Sequence, residues 1–215
     1  MNIFYGLLAI VFWQGGINDI AKINKLKTKA EEAFVAENYK EAIKTYEYLT
    51  DSLDVKDDDN LWLNLSNAYY HNSQNDKAKN IYQRLTTSEN QEVRSLSYQQ
   101  LGVLAFKDEK EQESLQHFKE SLKANPNNEE ARYNYELIKK YLNKQQQEQE
   151  EQQQEDKIEP SDFAKRLKEK ADSLVAAKRY QEAVQLMENG LKIDETVAAY
   201  NDFIQRTKII VTIDQ

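Results

Sequence analysis

The chain has 215 residues, of which 29 are Lys or Arg and 37 are Asp or Glu, so its formal net charge is −8. This negative balance argues against general nucleic-acid binding, which needs an excess of cations against phosphate. The chain has no Cys, which excludes disulfides, thiolate metal sites and thiol catalysis. Only 5 Gly and 2 Pro, with 40% apolar residues, predict an all-α fold of long helices.

The N-terminal segment is the most apolar part of the chain, with a continuous apolar run over residues 3–13. A helix of that length reaches about 16 Å, against a bilayer core of about 30 Å. We therefore expect residues 1–20 to be a signal peptide or N-terminal membrane anchor, which would place the protein in the cell envelope, periplasmic or membrane-anchored. The alternative is an amphipathic or buried first helix in a cytoplasmic protein, since no Ala-x-Ala site follows the run.

A two-residue motif repeats along the chain with a period of 36. A small residue is followed four positions later by an aromatic residue, in the pairs Ala42–Tyr46, Ala78–Tyr82 and Ser114–Phe118. Residues four apart share a helix face. We predict that the small residue lets a neighbouring helix come close and that the aromatic ring fills the space beside it.

A second helical stripe lies upstream of each pair, with apolar or small residues at spacings of four and three. The stripes are Leu26, Ala30 and Ala33; Trp62, Leu65, Ser66 and Tyr69; and Tyr98, Leu101, Gly102 and Ala105. These spacings predict helices that bury one face. The short polar joints between each stripe and the following pair predict antiparallel hairpins.

Together these patterns resemble the tetratricopeptide (TPR) signature, Trp-x2-Leu-Gly-x2-Tyr…Ala-x3-Phe…Pro. Three units resemble it over residues 22–126, and residues 129–142 would close the array. The resemblance implies an all-α, TPR-type α-solenoid of antiparallel helical hairpins, with three repeats and a closing helix over residues 22–143. An unrelated array of helical hairpins is the alternative.

The chain continues with residues 145–156, which are all Gln, Glu or Asp. Without apolar a and d positions they do not favour a coiled coil, so residues 144–160 are predicted to be a Gln/Glu-rich linker. The motif of Tyr39 to Ile43 then returns at Tyr180 to Val184, offset by 141 residues. We predict a separate C-terminal TPR-like hairpin with a closing helix over residues 161–215. Such a small unit must dock on the first array, on a second copy or on a partner.

The order of these parts also resembles a narrower group, the TPR proteins of the Bacteroides aerotolerance (Bat) operon. An N-terminal hydrophobic segment, repeats that end in residues 125–134, and a Gln/Glu run carry this resemblance. It implies a cell-envelope complex in which the partner is a von Willebrand A-domain membrane protein.

Catalytic motifs are absent from the sequence. It contains no phosphate-cradling Gly loop, no Gly-x-Ser-x-Gly and no His-Glu-x-x-His. Residues 57–59 are acidic but lack the Gly and the terminal Glu of a calcium loop. We therefore expect a non-enzymatic protein with no catalytic residues, no cofactor and no metal.

A TPR-type array presents the first helix of each hairpin to a concave groove. The TPR register implies that the groove binds a protein or peptide through Lys27, Phe34, Leu63, Asn64, Asn67, Tyr70, Gln100, Val103, Phe106, Tyr133 and Asn134. Glu31, Val35, His71 and Gln99 lie on the same faces. Amide side chains are suited to this role because they bond both N–H and C=O groups of an extended peptide.

Some TPR domains clamp a C-terminal carboxylate with Lys, Asn and Arg side chains. Lys27 and Asn64 match that set, but Glu31, Leu96 and Gln100 replace the remaining Asn, Lys and Arg. The carboxylate clamp is therefore not expected here. We predict a protein–protein interaction scaffold; the alternative is a structural subunit that self-assembles through its C-terminal hairpin.

Overall fold

The computed structural model describes residues 4–151 and 158–214, and all regular structure within these ranges is helical. The α-helices are α1 (Phe4–Val35), α2 (Tyr39–Glu47), α3 (Asp59–His71), α4 (Asn75–Leu85), α5 (Gln91–Lys107), α6 (Glu111–Ala124), α7 (Glu129–Glu151), α8 (Asp162–Ala176), α9 (Tyr180–Leu191) and α10 (Asn201–Ile213). A π-helical turn (Tyr48–Ser52) follows α2, and a 3-10 helix (Glu195–Tyr200) precedes α10. The predicted all-α fold of helical hairpins is confirmed.

The chain forms two compact units, Met1–Tyr98 and Gln99–Gln215. Helix α1 runs without a break from Phe4, so it includes most of the predicted signal or anchor segment. Residues 1–3, and the linker residues 152–157, lie outside the described part of the chain. None of the helices described is both long enough and apolar enough to cross a membrane.

The predicted small–aromatic pairs are the centre of each hairpin. Both members of every pair are at most 1% exposed: Ala42 and Tyr46, Ala78 and Tyr82, and Ser114 and Phe118. After the linker, Ala183 and Met187 occupy the equivalent positions of the C-terminal hairpin and are also fully buried. Side chains packed this tightly leave no room for added atoms. The 36-residue pattern therefore corresponds to a repeated packing contact, as predicted.

Close approach of the two helices of a hairpin is most evident at Gly102 on α5. A Cβ atom at this position would lie 2.9 Å from the ring of Phe118 on α6. The Ser114 hydroxyl donates a hydrogen bond of 2.7 Å to the Gly102 carbonyl. A small residue on each helix thus lets the aromatic ring and the backbone meet, which is the role the sequence pattern predicted.

Each hairpin makes the same left-handed turn between its helices. The residue at positive φ in these turns is Glu37 (57°), Ser73 (64°), Glu109 (62°) or Lys178 (59°). In each turn the following N–H donates to a carbonyl five residues earlier, as from Asn38 to Ala33 at 2.8 Å. This closure satisfies carbonyls that the ending helix leaves without a partner. The turns therefore recur at the intervals that the sequence motifs follow.

The prediction that Trp62 belongs to the buried stripe of α3 is wrong. Leu65 and Tyr69 are buried, but Trp62 is only half-buried. Its indole N–H donates to the Lys56 carbonyl at 2.9 Å, and the Arg84 guanidinium lies 3.9 Å from its ring centroid. An indole suits this boundary position because it has both an apolar face and a polar donor.

The C-terminal hairpin, α8 and α9, has its own core and docks within the second unit. Its core contains Leu167, Ala171, Met187 and Ile204. Helix α10 closes the hairpin against α9 and also contacts α7, where the Tyr141 hydroxyl donates to Asp202 at 2.7 Å. The closing element consists of the 3-10 helix followed by α10, which extends to Ile213.

Arg206 on α10 is the main polar contact of this docking. Its guanidinium lies 2.7 Å from Glu109 and 3.1 Å from Glu111, and it donates to the Phe106 carbonyl at 2.8 Å. The side chain is only 14% exposed. One planar group therefore joins α10 to the turn between α5 and α6, a bridging geometry that Lys does not reproduce.

We expect Arg206→Ala to lower the free energy of unfolding by about 1–3 kcal/mol, because it removes a charge-assisted hydrogen bond to the Phe106 carbonyl and leaves the half-buried Glu111 carboxylate without its guanidinium partner. Arg206→Lys should recover little of this loss. The matched control is Arg179→Ala, which removes an exposed pair with Glu182 and should lower stability much less, because solvent screens exposed pairs. Urea unfolding measures all three variants. Equal stabilities of the two Ala variants would contradict the bridging role of Arg206.

Candidate functional site

A cleft of about 280 Å³ lies between α1 and α3 in the first unit. It is lined by Glu31, Phe34, Val35, Tyr46, Asn64 and Asn67. Three of the predicted groove residues, Phe34, Asn64 and Asn67, are thus brought together by the fold. Val35 forms an apolar rim that is 81% exposed.

Buried tyrosines hold the two amides of the cleft. The Tyr82 hydroxyl donates to Oδ1 of Asn67 at 2.7 Å, and the Asn64 side chain hydrogen-bonds the Tyr46 hydroxyl. The Asn67 carbonyl oxygen therefore accepts one hydrogen bond from the core, and its N–H groups remain as donors. Each amide is fixed in orientation by a ring that cannot move without disturbing the core.

Tyr46 forms the floor of the cleft and stays protonated at neutral pH. Burial and the nearby negative charge of Glu31 raise the pKa of Tyr46 to about 12, against a smaller opposite effect of the Asn64 hydrogen bond. The phenol is thus a neutral hydrogen-bonding group throughout the physiological pH range.

An aromatic cluster surrounds the Phe34 end of the cleft. The Phe34 ring meets Tyr39 and His71 edge-on, with centroids 5.4 Å apart in each case. Tyr39 stacks on His71 at 5.2 Å, and Tyr70 meets His71 edge-on at 5.5 Å. Offset and edge-to-face contacts of this kind stabilise the arrangement of the rings. The predicted groove residue Tyr70 therefore supports the cleft's aromatic wall through His71.

Lys27, also predicted to line the groove, is paired with Asp58. Its Nζ lies 2.5 Å from the Asp58 carboxylate, which also accepts the Leu61 backbone N–H at 3.0 Å as the N-cap of α3. Burial alone would raise the pKa of Asp58, but the bonds from Lys27 and Leu61 outweigh it and hold the pKa below its ordinary value of 3.8. The pair ties α1 to the start of α3.

The side chains of three predicted groove residues, Leu63, Val103 and Phe106, are instead buried, with at most 6% exposed. Helix α3 packs on α2 and α4, so its buried face is wide enough to include Leu63. Residues 101–106 of α5 are all buried. The Phe106 ring is covered by Tyr141 on α7, with centroids 5.8 Å apart, and by Arg206 on α10.

The remaining predicted residues lie in the second unit and do not form one site. Gln100 is half-buried, whereas Tyr133 is 57% exposed. Asn134 is buried, and its amide nitrogen has no acceptor among the described residues. Gln99 accepts a hydrogen bond from Asn128 at 2.8 Å within the same unit.

A larger cleft of about 400 Å³ lies on α1, α2 and the π-helical turn. Its lining is mostly charged, and Lys29 is already paired with Glu41 at 2.6 Å. The smaller cleft combines apolar walls with oriented amides, which are the features of specific recognition sites. We therefore take the α1–α3 cleft as the candidate functional site.

Sequence reasoning assigned Tyr46 and Tyr82 to the core and missed their role in the cleft. The signal was the presence of Tyr, not Phe, at the repeated aromatic position in the first two hairpins. A buried Tyr hydroxyl usually requires a polar partner. The partners available on the adjacent helix were Asn64 and Asn67.

Comparisons with known proteins identify the fold. No protein-family model and no curated protein matches the chain. The TPR2AB domain of yeast Sti1, in a complex with pHSP90, matches with a TM-score of 0.52 at 14% identity, over 90% of this chain and 78% of that chain. The chain has the TPR fold. The TPR domain of P58(IPK) is also similar, with a TM-score of 0.48 at 18% identity, over 87% of this chain and 45% of that longer chain.

The Lys27–Asp58 pair of this TPR fold makes stability depend on acidity. Because the pKa of Asp58 is lower in the folded chain, its charged form adds stability that is fully present above about pH 4 and is lost as pH falls through the folded-state pKa. Asp58→Asn removes the charge but keeps an N-cap, whereas Asp58→Ala should cost about 0.5–2 kcal/mol more.

Thermal unfolding between pH 7 and pH 2.5 measures these effects. The stability difference between the wild type and Asp58→Asn should shrink below about pH 4, where Asp58 becomes protonated. A difference that stays constant over the whole range would show that the Asp58 charge does not stabilise the fold.

Proposed function

We propose that this protein is a non-enzymatic interaction scaffold that binds an extended segment of a partner protein in the α1–α3 cleft. The observation that carries the proposal is the pair of amides, Asn64 and Asn67, fixed by buried tyrosine hydroxyls beside an apolar wall. Yeast Sti1 TPR2AB, a domain with the same fold, forms a complex with pHSP90. That complex supports the proposal that this chain, which has the same fold, also binds a protein or peptide.

The fixed amides favour binding for an energetic reason. Ordering a mobile side chain costs about 0.5–1.5 kcal/mol on association. Asn64 and Asn67 are held before a ligand arrives, by Tyr46 and Tyr82 respectively. An extended peptide that meets them therefore gains hydrogen bonds without that cost. Phe34 and Val35 supply the adjoining apolar surface for one of its side chains.

The single variant Asn67→Ala would not separate an effect on binding from an effect on stability. It leaves the buried Tyr82 hydroxyl without its acceptor, which lowers the free energy of unfolding by about 1–3 kcal/mol. The informative comparison is Asn67→Ala/Tyr82→Phe against Tyr82→Phe alone. The Tyr82→Phe substitution is present in both proteins and removes the hydroxyl that Asn67→Ala would leave without an acceptor. The probe is a phage-displayed library of random dodecapeptides, with selected sequences resynthesised for calorimetry.

We expect peptides selected on the wild type to bind Tyr82→Phe well and to bind the double variant about tenfold more weakly, since one hydrogen bond and its positioning contribute about 1.4 kcal/mol. Melting temperatures of the two variants should agree. Equal peptide affinity for the two variants would show that the cleft is not the binding site.

We propose further that the scaffold works at the cell envelope in an aerotolerance-type complex, with a von Willebrand A-domain membrane protein as its partner. Two sequence features support this: the apolar run at residues 3–13 and the order of repeats, Gln/Glu stretch and C-terminal hairpin. Both are features of the Bat-operon TPR proteins that this chain resembles.

Fractionation of cells that express the full chain with a C-terminal tag tests the location. We expect the tag in the membrane or periplasmic fraction, and intact mass to show whether residues 1–20 are removed. Deleting residues 1–20 should move the protein to the cytoplasm. Full-length protein found in the cytoplasm would contradict an envelope location, and failure to co-purify an A-domain protein after cross-linking would contradict that partner.

A further inference from the structure

We infer that the α1–α3 cleft selects an extended peptide that carries a lysine or arginine side chain next to an apolar one. This inference rests on the proposed peptide-binding function and adds the chemistry of the ligand. Three features carry it: the charge that the cleft leaves uncompensated, the hydrogen-bonding groups it offers, and its apolar rim.

The uncompensated charge in the cleft is negative. Glu31 is exposed and forms no ion pair among the described residues. Lys27, one helical turn earlier on α1, is the cation best placed to neutralise it. Lys27 is instead held by Asp58 at 2.5 Å, where the same carboxylate caps α3. Glu31 therefore remains as an acceptor for a positive charge from outside the chain.

The charge of Glu31 is directed into the cleft. It acts on the Tyr46 hydroxyl at the floor, whose pKa rises partly because of that negative charge. A ligand group that entered the cleft would meet the same field. An acidic side chain or a terminal carboxylate would be repelled, whereas an ammonium or guanidinium group would form a charge-assisted hydrogen bond with Glu31.

The other lining groups fit a peptide around that cation. The Asn67 oxygen accepts a hydrogen bond from Tyr82, and its N–H groups can donate to a peptide carbonyl. Phe34 and the exposed Val35 lie one turn beyond Glu31 on the same helix and form the apolar part of the cleft. A basic residue and an apolar residue two positions apart share one face of an extended segment and match this order. The net charge of −8 also steers cationic partners toward the protein.

The test uses three synthetic mixtures of nonapeptides, all N-acetylated and C-terminally amidated so that no terminal charge contributes. Each mixture has one fixed Leu and, two residues away, Lys, Gln or Glu, a spacing that puts both side chains on the same face of an extended segment. Calorimetry measures their affinity for the wild type, for Glu31→Gln, and for Glu32→Gln. The last variant makes the same charge change at an exposed position outside the cleft.

We expect the Lys mixture to bind the wild type about three- to tenfold more tightly than the Gln mixture, and the Glu mixture to bind most weakly. Glu31→Gln should abolish this order, and Glu32→Gln should keep it. Raising the salt concentration should reduce the preference, since added salt screens such charges. Thermal melts of both exposed-site variants should match the wild type.

Three results would overturn the inference in different ways. If the three mixtures bind equally well, yet Asn67→Ala/Tyr82→Phe still loses binding relative to Tyr82→Phe, the cleft binds peptides without charge selection and only the inference fails. If no cleft variant changes the binding of any mixture, the proposed function fails with it. A lysine preference that persists in full in Glu31→Gln would assign the selection to another surface.

Discussion

The contact on which this structure depends is the side chain that the second helix of each hairpin inserts beside a small residue. Tyr46, Tyr82, Phe118 and Met187 fill this position and are at most 1% exposed. A fully buried aromatic ring contributes about 3–5 kcal/mol by the cost of its removal, more than any exposed ion pair of this chain can offer. This buried side chain stabilises each hairpin, and its size sets the distance between the two helices.

The buried tyrosines of the first two hairpins also support the cleft. Because the first two hairpins use tyrosine, the packed rings carry hydroxyls to the edge of the core, where they meet Asn64 and Asn67. The proposed recognition groups are thus supported by core side chains rather than by loops, which gives them a precision that mobile segments lack. In the proposed function this arrangement couples binding to stability, since each amide that would face a peptide is also the partner of a buried phenol.

The sequence was sufficient for the hairpins but only partly for the cleft, and the difference has a physical reason. Helical periodicity shows which residues share a face, so the pairs from Ala42–Tyr46 to Ala183–Met187 could be placed in the core. It does not show what covers a face. Phe106 is buried by Arg206, which is 100 residues away in the chain, and Lys27 is neutralised by Asp58, 31 residues away. Such pairings depend on tertiary structure and leave no local pattern, which is why Phe106 and Lys27 were both expected to face an open groove.

The left-handed turns at Glu37, Ser73, Glu109 and Lys178 have a consequence for how such a chain can change in length. A residue with a side chain is strained in this conformation, yet the same backbone geometry recurs in all four hairpins. The two helices of each hairpin are therefore joined with the same backbone geometry, although their surface residues differ. Recombination between two neighbouring turns among those at Glu37, Ser73 and Glu109 would insert or remove one complete 36-residue unit while keeping every helix in register. In evolutionary terms, the number of hairpins can vary by duplication without a new fold having to arise, and each added copy brings another surface on which recognition residues can diverge.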